Sequence, residues 1–283
     1  MKKARYFAIC VTALLVLAGC GPDLRKPLEI CPGKNSVAEA LAALQSQSEN
    51  MVSLYARGKS RLEYYDNGKK RKENLDVKIL VKSSDEIYLR GDMSIVQKAI
   101  ILGSNEREFW LAIKPKEISA YWWGQWSDLD SSQNLLINPK TLLEALGVAE
   151  TDVQADWSLS NKGPFDILTK RDDGVIIKKI YVYCCDYTIR KIEYYDFNGQ
   201  ALACMELEEY KEVTENFFVP GLIEVTTFGP NQKEDSISIT FNLNSIQQKE
   251  ITGRQNDFFK RLPPQGYKNL HRLENGKWME LQQ

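Results

Sequence analysis

The feature that most limits what this chain can fold into is a change of hydrophobic period near residue 55. From there on apolar and polar residues alternate, as they do in strands whose two faces meet different surroundings. The alternation is clear at residues 75–81, apart from Leu80, and at residues 237–243. Further strand-like runs lie near residues 55–65, 85–93, 106–113, 117–124, 164–171, 175–184, 187–195, 200–210 and 219–228.

Turn chemistry separates many of these runs. Examples are Asp66-Asn67-Gly68, Asp172-Asp173-Gly174, Asn198-Gly199 and Gly229-Pro230-Asn231. About eleven antiparallel strands in simple succession predict a mainly β (α+β) protein, a meander that curls into a barrel or part of one. The apolar segment 94–102 fits a strand, a short helix or a loop equally well. The basic run 69–72 follows a turn signal and is predicted at a solvated hairpin end.

A helix precedes the strands. Ser36 and Glu39 form a capping box, which predicts the start of the helix. The apolar residues that recur at helical spacing after it are Val37, Leu41, Leu44, Met51 and Leu54. The simplest role for this stripe is packing on the sheet.

A second, short helix interrupts the strands. Asn138 suits the N-cap, Pro139 the first helical position and Gly147 the C-terminal cap. Its apolar residues Leu142, Leu143 and Leu146 are candidates for a lid over the sheet.

The N-terminus has the three parts of an export signal. Lys2, Lys3 and Arg5 precede an apolar run, and Leu17-Ala18-Gly19-Cys20 closes it. This tetrapeptide resembles the lipobox of bacterial lipoproteins, in which the cysteine is diacylated and becomes the mature N-terminus. An ordinary secretory signal or a transmembrane anchor are the alternatives, but the apolar run is short for a hydrocarbon core of about 30 Å. We expect a signal at residues 1–19, a lipidated tether at 20–35 and a single domain at 36–283.

Charge and motifs exclude several functions. The chain has 37 basic and 38 acidic residues, and the signal carries three of the basic ones, so the mature chain is weakly acidic and a poor nucleic-acid binder. Cys31, Cys184, Cys185 and Cys204 are available for disulfides whose pairing the sequence leaves open. No nucleophile, phosphate-loop or metal-ligand motif is present, and His271 is the single histidine. We therefore predict no enzyme activity, no cofactor and no metal.

Tryptophans cluster in the middle of the chain. Trp110, Trp122, Trp123 and Trp126 fall within seventeen residues. They either fill the core or line an apolar cavity on a curved sheet, which is a natural container for acyl chains. The wall candidates are Val77, Ile79, Trp110 and Trp122.

Several short motifs resemble the LolA/LolB superfamily of lipoprotein carriers. Leu54-Tyr55-Ala56-Arg57-Gly58 resembles its helix–strand junction, and Phe109-Trp110-Leu111 with Lys114-Pro115 its central hairpin. Tyr194-Tyr195-Asp196 with Gly199, Tyr210 and Pro220 resembles its later strands. The most specific match is Phe259 with Pro263-Pro264-Gln265-Gly266, close to the F…PPxG that ends the fold of that family.

The resemblance implies an open, roughly eleven-stranded half barrel with helices closing its mouth. It also implies acyl chains or lipoproteins as cargo, a periplasmic carrier as a partner, and a place at the outer membrane. The lipobox favours the membrane-fixed, LolB-like side, and Gly21 after the cysteine fits outer-membrane sorting. The rival hypotheses are an assembly lipoprotein that binds a protein partner without lipid cargo and, third, a hydrolase acting on envelope material.

Overall fold

The computed structural model of the protein describes residues 28–66, 68–115, 118–128, 139–149, 151–229 and 232–281, excluding the side chains of residues 66 and 232–235. All the elements below lie in the compact unit Cys31–Gln283. Cys20 and Asn138 lie outside the described residues, so the lipobox and that N-cap stay predictions. The domain boundaries at residues 19 and 35 likewise stay predictions.

The described residues of this unit form two α-helices and fifteen strands. The helices are α1 (Val37–Glu49) and α2 (Pro139–Ala145), and two 3-10 turns lie at Trp126–Asp128 and Gly253–Phe259. The strands of the first half are β1 (Leu54–Asp66), β2 (Lys69–Val81), β3 (Ile87–Asp92), β4 (Ile100–Ser104), β5 (Glu108–Ile113) and β6 (Ala120–Gln125). Those that follow α2 are β7 (Asp156–Lys162), β8 (Phe165–Asp172), β9 (Val175–Tyr183), β10 (Ile189–Tyr195), β11 (Ala201–Thr214), β12 (Phe217–Gly229), β13 (Gln232–Gln248), β14 (Asn269–Glu274) and β15 (Lys277–Leu281).

Within the described residues the strands form one sheet, in the order β15-β14-β6-β5-β4-β3-β2-β1-β13-β12-β11-β10-β9-β8-β7. β1 pairs with β2 and with β13, and so joins two antiparallel meanders. β14 runs parallel to β6. Because β7 and β15 end the order without meeting, the sheet is open, and the predicted mainly β, open architecture is confirmed.

The predicted count of about eleven strands is wrong. The four additional strands are β4, β7, β14 and β15. β4 falls in the apolar segment whose conformation the sequence left open. β7 and β15 are edge strands and β14 is next to an edge, and such strands carry polar residues that weaken the alternating pattern.

The beginning of α1 follows the predicted capping box. The Glu39 backbone N–H donates to Ser36 Oγ at 3.2 Å, and the Asn35 N–H donates to the Glu39 carboxylate at 3.1 Å. Leu41 and Leu44 are buried on the face that packs against β7, β8 and β12. The helix ends at Glu49, so Leu54 of the predicted stripe instead begins β1.

Each face of the sheet buries apolar side chains. We call the face that carries α1 and α2 the inner face, and it is defined by Val77, Ile79, Leu89, Leu102 and Leu111. The opposite, outer face carries Leu80, Tyr88, Trp110 and Tyr121. Residues 249–268, the outer strap, cover this second set and carry the chain from β13 across to β14.

Candidate functional site

The position of α2 shows how strongly the sheet curves. α2 packs against β4, and its Glu144 side chain binds residues of β9 and β10. Six strands separate β4 from β10 in the sheet order, so in a flat sheet the two would lie about 34 Å apart. A seven-residue helix is about 10 Å long. The sheet must therefore curl until these strands face each other across the inner face, with α2 bridging them.

The underside of α2 is apolar. Leu142, Leu143 and Leu146 are all buried in the inner cluster, and Leu143 is fully inaccessible to solvent. The helix begins at Pro139, and Gly147, with a φ of +73°, follows its end in the left-handed conformation that the sequence predicted there. These three leucines therefore pack onto the inner face, and their role as a lid stays a prediction.

A small cavity lies under the inner face near β1–β5. Its volume is about 10 Å³, enough for about one water molecule. The lining residues are Ser60, Leu75, Val77, Leu89, Gly91, Ile100, Leu102, Leu111, Ile239 and Phe241. The Ser60 hydroxyl is buried and has no hydrogen-bond partner among the described residues. This cavity, among the described residues, is thus small and almost wholly apolar.

Glu144 fastens α2 to the far side of the sheet. Its carboxylate accepts hydrogen bonds from the Lys178 ammonium group on β9 and from the Tyr194 hydroxyl on β10. We call Glu144, Lys178 and Tyr194 the lid latch. Burial, together with the Glu144 carboxylate, raises the pKa of Tyr194 well above its ordinary value, so this hydroxyl remains a donor at neutral pH. Lys178 and Glu144 are themselves largely shielded from solvent.

The structure brings six of the seven cavity and lid candidates to the inner cluster. Those six are Val77, Ile79, Trp122, Leu142, Leu143 and Leu146. Trp122 is half-buried there and stacks on His271, with ring centroids 5.2 Å apart. Trp110 lies instead on the outer face with Tyr121 and Tyr267. This placement corrects the wall prediction for Trp110, because its neighbour Leu111 takes the inward position in β5.

The family motif near the C-terminus lies in the outer strap. Phe259 is buried against Leu80 and Tyr88, and its carbonyl accepts a hydrogen bond from Asn105 Nδ2 at 2.9 Å. Pro263 and Pro264 follow, and Gly266 has a φ of +82°, which favours glycine. Phe259 is thus the residue of this motif that holds the strap against the sheet.

The lid latch escaped prediction from the sequence. Glu144 is a single acidic residue in the apolar stretch Leu142–Leu146, and its partners lie 34 and 50 residues away. A charged residue inside a predicted lid was the available signal, since buried charges need partners.

Among the residues that the structure describes, no cluster of acidic, cysteine or histidine side chains could hold a metal ion. In the same part of the chain, none of the helices has the length and apolar character to cross a bilayer.

Several solved structures have a fold similar to this one, and one of them is a LolA superfamily protein. The chain is similar to a putative outer membrane lipoprotein-sorting protein domain from Vibrio parahaemolyticus, at 12% identity and a TM-score of 0.54, covering 78% of this chain and 94% of that one. It is also similar to a LolA superfamily protein from Nitrosomonas europaea, at 13% identity and a TM-score of 0.51, covering 81% and 99%.

A DUF1329 family protein from Desulfovibrio piger is a further structural relative. Its identity to this chain is 9% and its TM-score 0.53, with 80% of this chain and 98% of the other covered. No protein-family model matches the sequence, and no curated protein matches it. These similarities establish the fold, and the predicted resemblance to the LolA superfamily is confirmed at that level.

Proposed function

We propose that this protein is a non-enzymatic, lipid-anchored envelope protein that binds acyl chains, free or on lipoproteins, between the inner face and α2. The observation that carries the proposal is the apolar inner face bridged by the three buried leucines of α2. The fold shared with a lipoprotein-sorting domain and a LolA superfamily protein supports it. The anchor at Cys20 would make this chain a membrane-fixed acceptor at the outer membrane, supplied by a periplasmic carrier.

Binding requires α2 to leave its closed position. Small-molecule sites typically enclose roughly 300–1,000 Å³, far above the closed cavity here. Exposing Leu142, Leu143 and Leu146 costs about 6 kcal/mol, at about 2 kcal/mol for each side chain. Burying an acyl chain of about fourteen methylenes returns about 11 kcal/mol, at about 0.8 kcal/mol each. Apolar burial therefore favours the open, loaded state, and cargo would pass to whichever site binds it more tightly.

The small volume of the described cavity is the observation that favours a second candidate function. An assembly lipoprotein that binds a protein partner needs no space under α2, and the closed cavity suits it. Whether the purified protein binds a fluorescent fatty acid decides between the two candidates.

The test of acyl-chain binding uses the chain without its signal and with Cys20→Ala, purified free of detergent. We expect extracted lipid in the mass spectrum and micromolar binding of a fluorescent fatty acid that palmitate displaces. Leu102→Trp inserts bulk beside the cavity and should weaken binding at least tenfold, at a stability cost of about 1–3 kcal/mol.

The matched control is Leu262→Trp, the same exchange on an exposed outer-strap residue. Its affinity should equal that of the parent chain. An interior that excludes the probe in all three proteins would remove the lipid-binding proposal and leave the assembly candidate.

The lid latch gives a separate prediction about the rate of loading. Tyr194→Phe deletes one hydrogen bond between α2 and β10, worth about 1 kcal/mol, and should speed fatty-acid association about fivefold. Tyr195→Phe is the control. The Tyr195 hydroxyl donates a hydrogen bond of 2.6 Å to the Glu193 carboxylate, which is not part of the lid latch. Stopped-flow fluorescence measures both, and equal rates for the two variants would show that α2 does not gate the site.

A further inference from the structure

A disulfide fixes the point at which the N-terminal segment joins the sheet. Cys31 is bonded to Cys185, in the connection between β9 and β10. The Lys34 backbone N–H donates to Asp166 Oδ2 at 2.8 Å, and Asp166 is fully buried at the start of β8. Gly33 passes so close to Asp166 that a Cβ atom would overlap its carboxylate. The segment therefore leaves the sheet at the β8–β9 side.

The same end of the sheet carries two turns. The β7–β8 turn contains Lys162 and Pro164, and the Cys184 backbone N–H of the β9–β10 connection donates to the Pro164 carbonyl at 2.9 Å. We call these two turns, residues 162–165 and 184–188, together with Lys34, the tether end. Lys34 lies over the Tyr187 ring, 5.0 Å from its centroid.

An open groove of about 450 Å³ borders the tether end on the outer face. Phe165, Ile167 and Tyr181 supply its apolar and aromatic surface. Its basic side chains are Lys162, Arg190 and Lys191. A surface with cations beside an apolar patch matches the phosphates and glycerol region of a lipid layer.

The cations of the groove differ in how far they are already engaged. Arg190 pairs with Asp186 at 2.7 Å, its guanidinium lies over the rings of Tyr183 and Tyr210, and its Nε is buried, so about 24% of its side chain is exposed to the groove. Lys191 pairs with Glu193 at 2.7 Å. Lys162 is exposed and forms no ion pair within the described part of the chain.

We propose that the tether end and its groove lie against the lipid layer in which Cys20 is anchored, with Lys162 and Arg190 on anionic headgroup phosphates. The proposal rests on the anchor of the proposed function. Ten residues lie between Cys20 and Cys31, and the eleven Cα–Cα steps across them span at most about 40 Å when fully extended. The disulfide thus makes the tether end the part of the sheet with the shortest covalent link to the membrane.

The test uses the full lipidated protein, reconstituted into vesicles of phosphatidylethanolamine and phosphatidylglycerol. A photoreactive residue is introduced as Lys162→p-benzoylphenylalanine. The control is the same exchange at Lys277, an exposed residue of β15 at the opposite edge of the sheet. We expect at least fivefold more lipid adduct at position 162 than at position 277. We also expect about a fivefold lower yield at position 162 in phosphatidylcholine vesicles, because Arg190, which this exchange leaves in place, is a basic side chain near an anionic surface and contributes about that factor.

Equal adduct yields at the two positions, with intact mass confirming acyl groups on Cys20, would overturn this orientation while leaving the proposed anchor in place. Adducts at position 162 to an envelope protein rather than to lipid would overturn it in favour of a protein partner. An unmodified Cys20 would overturn both the anchor and the orientation that rests on it. Mass spectrometry of the intact chain separates that outcome from the other two.

Discussion

Replacing Cys31 and Cys185 together by serine is expected to lower the free energy of unfolding by about 3–5 kcal/mol. The bond joins residues 154 apart in sequence, and the chain-entropy model gives about 5 kcal/mol for a loop of that length, near the top of the observed range. Denaturant unfolding of the double variant and the parent chain, both under oxidising conditions, measures the difference. Reduction of the parent chain should reproduce most of the loss.

Cys204→Ser is the matched control, because Cys204 carries a free thiol. Its exchange should change the free energy of unfolding by less than about 1 kcal/mol. The Cys184 thiol is also free, and burial, with the Asp166 carboxylate, raises its pKa to about 11, so it is a poor nucleophile toward the neighbouring disulfide at neutral pH. A double variant as stable as Cys204→Ser would contradict the disulfide assignment.

Gly58→Ala is expected to lower the free energy of unfolding by about 3 kcal/mol, through overpacking against main-chain atoms. Gly58 lies where the register of β1 against β13 shifts between Arg57 and Lys59. A Cβ atom at this position would overlap the backbone carbonyl of Asn242 and would stand 2.8 Å from the Cα of Leu243. Because neither atom belongs to a flexible side chain, β1 and β13 would have to separate there. Thermal and denaturant unfolding measure the loss.

Lys59→Ala tests the adjacent position without adding bulk. Lys59 pairs with Asp76 at 3.0 Å, but both side chains are more than 70% exposed, and such pairs contribute less than about 1 kcal/mol. A loss for Gly58→Ala no larger than that for Lys59→Ala would show that the two strands can part here at little cost. The close approach also explains why a glycine ends the Leu54–Gly58 motif.

The sequence predicted well those parts of the fold whose signals are local. The capping box at Ser36 and the glycine after α2 were identified because each satisfies main-chain groups within a few residues. The positions of Val77 and Ile79 on one face followed from the alternation at residues 75–79, on a strand buried among others. Three strands at or next to the edges, β7, β14 and β15, lacked such alternation, and β4 lay in an apolar segment of open conformation, so the predicted count fell short by four.

Non-local features could not be read from the chain. Which face of the sheet Trp110 would occupy depended on which side of β5 points inward. Phe109 and Leu111, its neighbours in the strand, are also apolar, so the sequence pattern did not distinguish the two faces. The four available cysteines allowed several disulfide pairings. Cys31 pairs with Cys185 because the fold brings the β9–β10 connection next to the N-terminal segment. The lid latch joins Glu144 to residues on strands that meet α2 only because the sheet curls.

The parallel pairing of β14 with β6 has a consequence for the order of folding. β14 reaches β6 only after the outer strap has crossed the six strands from β1 to β6, and it begins at residue 269. Until that point of the chain is available, β6 presents an unpaired edge next to a tryptophan-rich surface. Exposed edges of this kind are templates for aggregation, and pairings of high sequence separation form slowly. The yield of the newly made chain would therefore depend on how long this edge stays unpaired, and not on the stability of the finished fold alone.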